Sequence, residues 1–212
     1  LADGAAQSNI SAPFLLEGTL NKAAMQQAIH AIVSRHQVLH SVYRETDNEC
    51  RQHLLTSFDT RIAELDLSAL SAGEFDEQVR RLARQEALTP FDLANDVMLR
   101  VTLLKASEQR HVALFSMHHI ASDGWSLSVL MKEVAELYSA YLMKRKPDLS
   151  CLPIQYSDYA LWQRQYLEGE ILHRQLEYWK KKLSDAPVLQ LRTDYPRPPV
   201  HTARGKMLHF AI

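Results

Sequence analysis

Two apolar runs set the narrowest limits on what this chain can fold into. Val97 to Lys105 and Arg110 to Met117 are rich in branched and aliphatic residues, and only the polar turn Ala106 to Gln109 separates them. Such runs belong to strands in a well-buried sheet interior. The next periodic segment is helical, with Leu127, Leu130, Val134, Leu137, Tyr138 and Tyr141 at three- and four-residue spacing between Trp125 and Lys144. Strands interleaved with helices predict an α/β (α+β) layer whose sheet is mixed and flanked by helices.

The remaining segments fill in that layer. Pro13 to Gly18 reads as a short strand. Asn21 can cap a helix through Ser34, with Leu20, Ala24, Ala28, Ile29, Ile32 and Val33 on its apolar stripe. Arg35 to Tyr43 reads as a buried connection into a strand, and Asp47 to Glu49 as a turn toward a hairpin partner at Arg51 to Leu55. Leu65 to Ala72 reads as a connection. Phe75, Val79, Leu82, Ala83 and Ala87 mark a helix with a charged, solvated outer face, stopped at Thr89-Pro90. Arg145 to Pro153 is a linker, and a helical region from about Ser157 to Leu183 is interrupted or bent near Gly169. Prolines then precede a short strand at Lys206 to Ile212. Residues 1 to 12 are small and polar and are expected to be loose.

Composition narrows the function classes. Hydrophobic residues make up 46% of the 212, enough for one large domain or two small lobes with a packed core. Lys and Arg number 24 against 25 Asp and Glu, so no basic excess points to nucleic acid or an anionic membrane. Cys50 and Cys151 lie far apart and form no CxxC pair, which suits a reducing compartment and a cytoplasmic location. The chain opens on Leu1, not methionine, and stops on an expected strand, so a piece of a longer polypeptide is expected.

Chemistry concentrates at His118-His119-Ile120-Ala121-Ser122-Asp123-Gly124-Trp125-Ser126, on the connection between the second apolar strand and its helix. Short connections of this kind aim side chains at a ligand. Adjacent histidines on an extended segment point to opposite sides, so at most one faces a substrate. Asp123 or Ser126 can cap the helix, and Asp123 can instead pair with an arginine. No G-x-S-x-G is present and neither cysteine sits in a motif, so the implied chemistry is direct attack by a substrate nucleophile. Without H-E-x-x-H or a nearby cysteine the pair is not read as a metal site. A histidine at a strand end is more often a satisfied structural residue than a base. The bland reading of Tyr156 to Trp162 is helix packing. The other histidines read as surface or packing residues, with His36 the one to reconsider.

Three stretches together resemble one family. His118 to Ser126 is similar to the HHxxxDG motif of the condensation domains of nonribosomal peptide synthetases, Arg35 to Tyr43 to their RHExLRTxF motif, and Tyr156 to Trp162 to their YxDYAxW motif. Leu191 to Pro198 is similar to the family's crossing between lobes. The resemblance implies a chloramphenicol-acetyltransferase-like fold, with residues 1–185 as the N-terminal lobe and 186–212 as the crossing segment and first strand of a truncated C-terminal lobe. It implies peptide-bond formation in antibiotic and other secondary-metabolite biosynthesis. The amine of an acceptor aminoacyl thioester attacks a donor acyl or peptidyl thioester. No cofactor is bound directly, because both substrates ride on 4′-phosphopantetheine of donor and acceptor carrier domains, beside an adenylation domain and the missing C-terminal lobe.

By this resemblance His119 is the catalytic histidine, His118 and Asp123 are structural, and Gly124 leaves room for a pantetheine arm. Trp125 and Ser126 would line the substrate tunnel. The family's second arginine is His40 here, which makes Arg35 the expected partner of Asp123, with Arg44 and Arg100 as alternatives. The wording around Ser126 and Tyr156 is closer to domains that accept an L-configured donor. The rivals are an epimerization domain of the same superfamily, a free-standing acyltransferase using coenzyme A, and a non-catalytic carrier-docking module. The 212 residues alone are expected to fold but to be inactive.

Overall fold

The computed structural model describes residues 8–196, in two compact units divided between Asp158 and Tyr159. In the first unit the two apolar runs form the centre of a four-stranded sheet. They are β5 (Leu99–Ser107) and β6 (Arg110–His118), an antiparallel hairpin. β1 (Asn9–Glu17) pairs antiparallel with β6 along its whole length, and β4 (Ala63–Asp66) pairs parallel with β5. The sheet is therefore mixed, in the order β1-β6-β5-β4. A separate hairpin joins β2 (Ser41–Thr46) to β3 (Glu49–Leu54). Its turn places Asp47 at φ 55° and Asn48 at φ 61°, two residue types that tolerate the left-handed region a two-residue hairpin requires.

Helices cover both faces. α1 (Lys22–Arg35) and α3 (Gly124–Leu142) pack on one face, where Ile29, Ile32, Leu130 and Val134 meet Leu99, Val101, Phe115 and Met117. α2 (Ala72–Leu88) sits on the other, where Phe75 meets Leu104, Val112 and Leu114. This two-sided burial is why β5 and β6 read as unbroken apolar runs. Caps fall where short polar side chains permit them: Asn21 Oδ1 accepts from Ala24 N at 3.0 Å, and Ser71 and Glu74 form a reciprocal capping box.

Two expectations change. β1 starts at Asn9, well before Pro13, because polar residues there are held by partners: Asn9 Nδ2 donates to Thr89 O at 2.7 Å and Ser11 Oγ meets Ser116 Oγ at 3.0 Å. Ala63–Asp66, whose last two residues open the expected connection Leu65 to Ala72, is an exposed edge strand too short to show a period. The interruption expected near Gly169 is present: the region is two helices, α4 (Tyr156–Tyr166) and α5 (Gly169–Leu183), broken where Gly169 takes φ 59°. α5 lies in the second unit, whose described residues bury no hydrophobic side chain. The strand expected at Lys206 to Ile212 lies outside the described residues.

Candidate active site

The site grows from the end of β6. The strand runs to His118, and Ala121 N donates to His118 O at 3.0 Å, turning the chain toward α3. Ser122, itself buried, donates Oγ to the same carbonyl at 3.1 Å. The next backbone group, His119 N, donates to Ser8 O at 2.7 Å, so the residue just ahead of β1 holds the loop from its other side.

That anchoring separates the two imidazoles. His118 is 7% exposed, accepts at Nδ1 from Ile120 N at 3.0 Å, and lies edge-on to Phe91. Burial lowers its pKa, with the neighbouring His119 pushing the same way. The protein thus holds His118 neutral, with its proton on Nε2. His119 is exposed and faces a cleft of about 360 Å³ lined also by His36, Asp123, Ser126, Gln155 and Tyr156. A smaller apolar cavity of about 170 Å³ lies against Met117, Trp125, Val129 and Leu130. His36, Val38, Ala121, Ser122 and Ser126 line both.

Asp123 is the N-cap of α3. Its Oδ1 accepts from Ser126 N at 2.8 Å and Ser126 Oγ at 2.7 Å, and Asp123 N donates to Ser126 Oγ at 3.1 Å. These bonds from Ser126 hold its carboxyl below the ordinary aspartate range. The expected arginine partner is a correction. Arg35 donates to Glu133 and to Ser150 O, Arg44 to Ala94 O, and Arg100 to Thr89 O and Pro90 O. His40, at the position of the expected arginine, is buried, donates Nδ1–H to Val33 O at 2.7 Å and stacks on Phe58. The carboxylate's demand is met by the helix end, so no guanidinium is drawn to it.

Gly124 opens α3, and a methyl added to its Cα would meet nothing within 4 Å, so the space beside it is open. Trp125 is 81% exposed at the mouth of the apolar cavity. In α4, the Trp162 ring contacts those of Tyr159 and Tyr166, yet all three stay exposed, so the aromatic cluster is a ladder along one face of the helix. Sequence reasoning missed Glu133, a buried carboxylate held by Arg35 and His36. Its signal was a charge three residues after Leu130, inside the apolar stripe of α3.

Among the described residues no group of three or more His, Cys, Asp and Glu could hold a metal ion, and no helix is long and apolar enough to cross a membrane.

Comparison with known proteins gives the family and the fold. A family model described as "Condensation domain" matches residues 1–212. A linear gramicidin synthase of Brevibacillus parabrevis is 42% identical over 200 residues, 94% of this chain. Cyclosporin synthetase simA of Tolypocladium inflatum is 37% identical over 199 residues, 93% of this chain. The chain spans 4% and 1% of the lengths of those two proteins. The X-domain from teicoplanin biosynthesis superposes with a TM-score of 0.79 at 26% identity, over 91% of this chain and 42% of that one. The epimerization domain from the third module of a tyrocidine synthetase shares the fold at a TM-score of 0.78 and 24% identity, over 90% of this chain and 42% of that one.

Proposed function

The chain belongs to the condensation-domain family found in nonribosomal peptide synthetases, and from that premise we propose that it forms peptide bonds between two carrier-bound thioesters. The observation that carries this reading is the split of the histidine pair, with His118 buried and tied down while His119 stands exposed on the cleft.

The bond that forms joins the acceptor amine nitrogen to the donor carbonyl carbon; the bond that breaks is the donor's C–S bond, and the sulfur leaves as a thiol. The amine gives up one proton during attack. His119 accepts it or holds the amine in line through it, and the same proton can finish on the departing sulfur. Aminolysis of a thioester is favourable already, so alignment of the two groups supplies much of the acceleration. Asp123 keeps α3 and its loop in place by capping, and Gly124 leaves the space for a pantetheine arm. Both substrates arrive on 4′-phosphopantetheine of neighbouring carrier domains in a cytoplasmic synthetase.

Residues 1–185 make up the N-terminal lobe in this proposal, and 186–212 lead on to the next. This chain spans 42% of a structural relative, and the proposal assigns closure of the cleft to a partner lobe of the full-length protein, so residues 1–212 alone should form no peptide bond. The test is to load donor and acceptor carriers of the full-length protein and follow products by mass spectrometry. Dipeptidyl product is the expected result. Inversion of the donor Cα without joining would instead assign an epimerization domain, and carrier binding with neither reaction a docking module.

A further inference from the structure

The proposed chemistry leaves His36 without a task, yet this residue stands in the wall common to both cavities. Its Nε2 lies 2.7 Å from Oε2 of Glu133, a carboxylate only 8% exposed. Arg35 closes on the same carboxylate through Nε to Oε2 at 3.0 Å and through Nη2 to Oε1 at 3.4 Å. A carboxylate so clamped only accepts, so His36 donates its Nε2–H and the tautomer is set. The ring's other nitrogen, Nδ1, is an acceptor in the neutral ring, and among the described residues no protein hydrogen bond occupies it. The backbone on either side is held too. Gln155 Nε2 donates to Arg35 O at 3.1 Å, and Gln37 N donates to Gln155 Oε1 at 3.1 Å. An imidazole fixed at both its backbone and its far nitrogen presents one acceptor in a constant direction.

We infer that His36 binds substrate: Nδ1 accepts a hydrogen bond from an N–H of the thioester-bearing ligand in the cleft that holds His119, and Glu133 with Arg35 sets its orientation. The inference rests on the reading that thioester substrates occupy this cleft. Two N–H groups share the required chemistry, an amide of the pantetheine arm and the amine of the aminoacyl group.

The test measures binding of an unreactive thioether analogue of aminoacyl-pantetheine to the full-length protein by isothermal titration calorimetry. In His36→Gln the new amide can reach Glu133 as Nε2 does but offers nothing at Nδ1, whereas His36→Asn does the reverse. His36→Gln is expected to weaken binding about tenfold, the upper range for one neutral hydrogen bond, and His36→Asn to stay within about threefold of wild type. Two further analogues separate the sources, one with ester oxygens replacing both amide N–H groups of the arm and one without the amine. The His36→Gln penalty should vanish with whichever lacks the N–H that His36 holds. Equal affinity of His36→Gln and wild type overturns the inference. So do equal losses in both variants, a penalty that survives both analogues, or no binding by wild type. Because the ligand is inert, a wild type that binds it but makes no peptide would defeat the functional reading alone.

Discussion

At the scale of single residues, the site works by giving neighbouring side chains opposite environments. His118 is desolvated and committed to Ile120 N, while His119 has its backbone anchored at Ser8 O and its ring in the cleft. His118→Ala should therefore act through structure, lowering thermal stability as well as activity, and His118→Asn should recover part of both by restoring an acceptor for Ile120 N. Paired thermal melts and rate measurements check this. Glu133→Ala would leave Arg35 beside a vacated, largely buried position. Loss of such a partner costs about 3 kcal/mol, read as a lower denaturation midpoint, and Glu133→Gln should cost less by keeping an acceptor for His36. The roles of these two residues show how far the sequence could be read. That only one of two adjacent histidines faces the cleft follows from strand geometry alone. The arginine expected on Asp123 does not, because a cap supplied by Ser126 three residues away competes with any distant guanidinium, and only the folded chain shows which wins.

At the scale of elements, long periodic segments were legible and short polar ones were not. The runs that became β5 and β6, and the stripe that became α3, carry their burial in their composition. The start of β1 and all of β4 draw their order from partners across the sheet, Ser116 and Thr102 among them, which no local pattern encodes. Because β6 is buried on both faces, Phe115→Ala should cost about 3–5 kcal/mol by opening a cavity under α1 and α3. Equilibrium unfolding in denaturant measures it. The C-terminal end of α3 predicts a pH response. Arg145 hydrogen-bonds Glu136, with Asp148 N adding to it, and together they hold the Glu136 carboxyl down to about 2 from 4.5. A depressed carboxyl stabilises the fold fully above its ordinary pKa and loses that contribution as pH falls toward the folded value. Melting temperature should therefore fall between pH 4.5 and 2 more steeply in wild type than in Glu136→Gln. Equal slopes would show that the Glu136–Arg145 clamp does not contribute.

For the whole molecule, the mixed sheet and its two helical faces serve to place one strand end, one helix start and one helix end around the same cleft. β6 delivers His119, α3 delivers Asp123 and Ser126, and the end of α1 delivers His36. Family membership was legible because three motifs stand in order along the chain, and the family match over residues 1–212 agrees. The choice between joining two substrates and inverting one was not, since an epimerization domain shares this fold at a TM-score of 0.78. The measurement that bears most directly on the central claim is a single-turnover assay in the full-length protein, with both carriers loaded, comparing wild type with His119→Ala. The account predicts dipeptidyl product from wild type and a loss of about 10²-fold or more in rate for the variant, with carrier loading and melting temperature unchanged. Equal rates from the two proteins would contradict it, and would remove His119 from the chemistry.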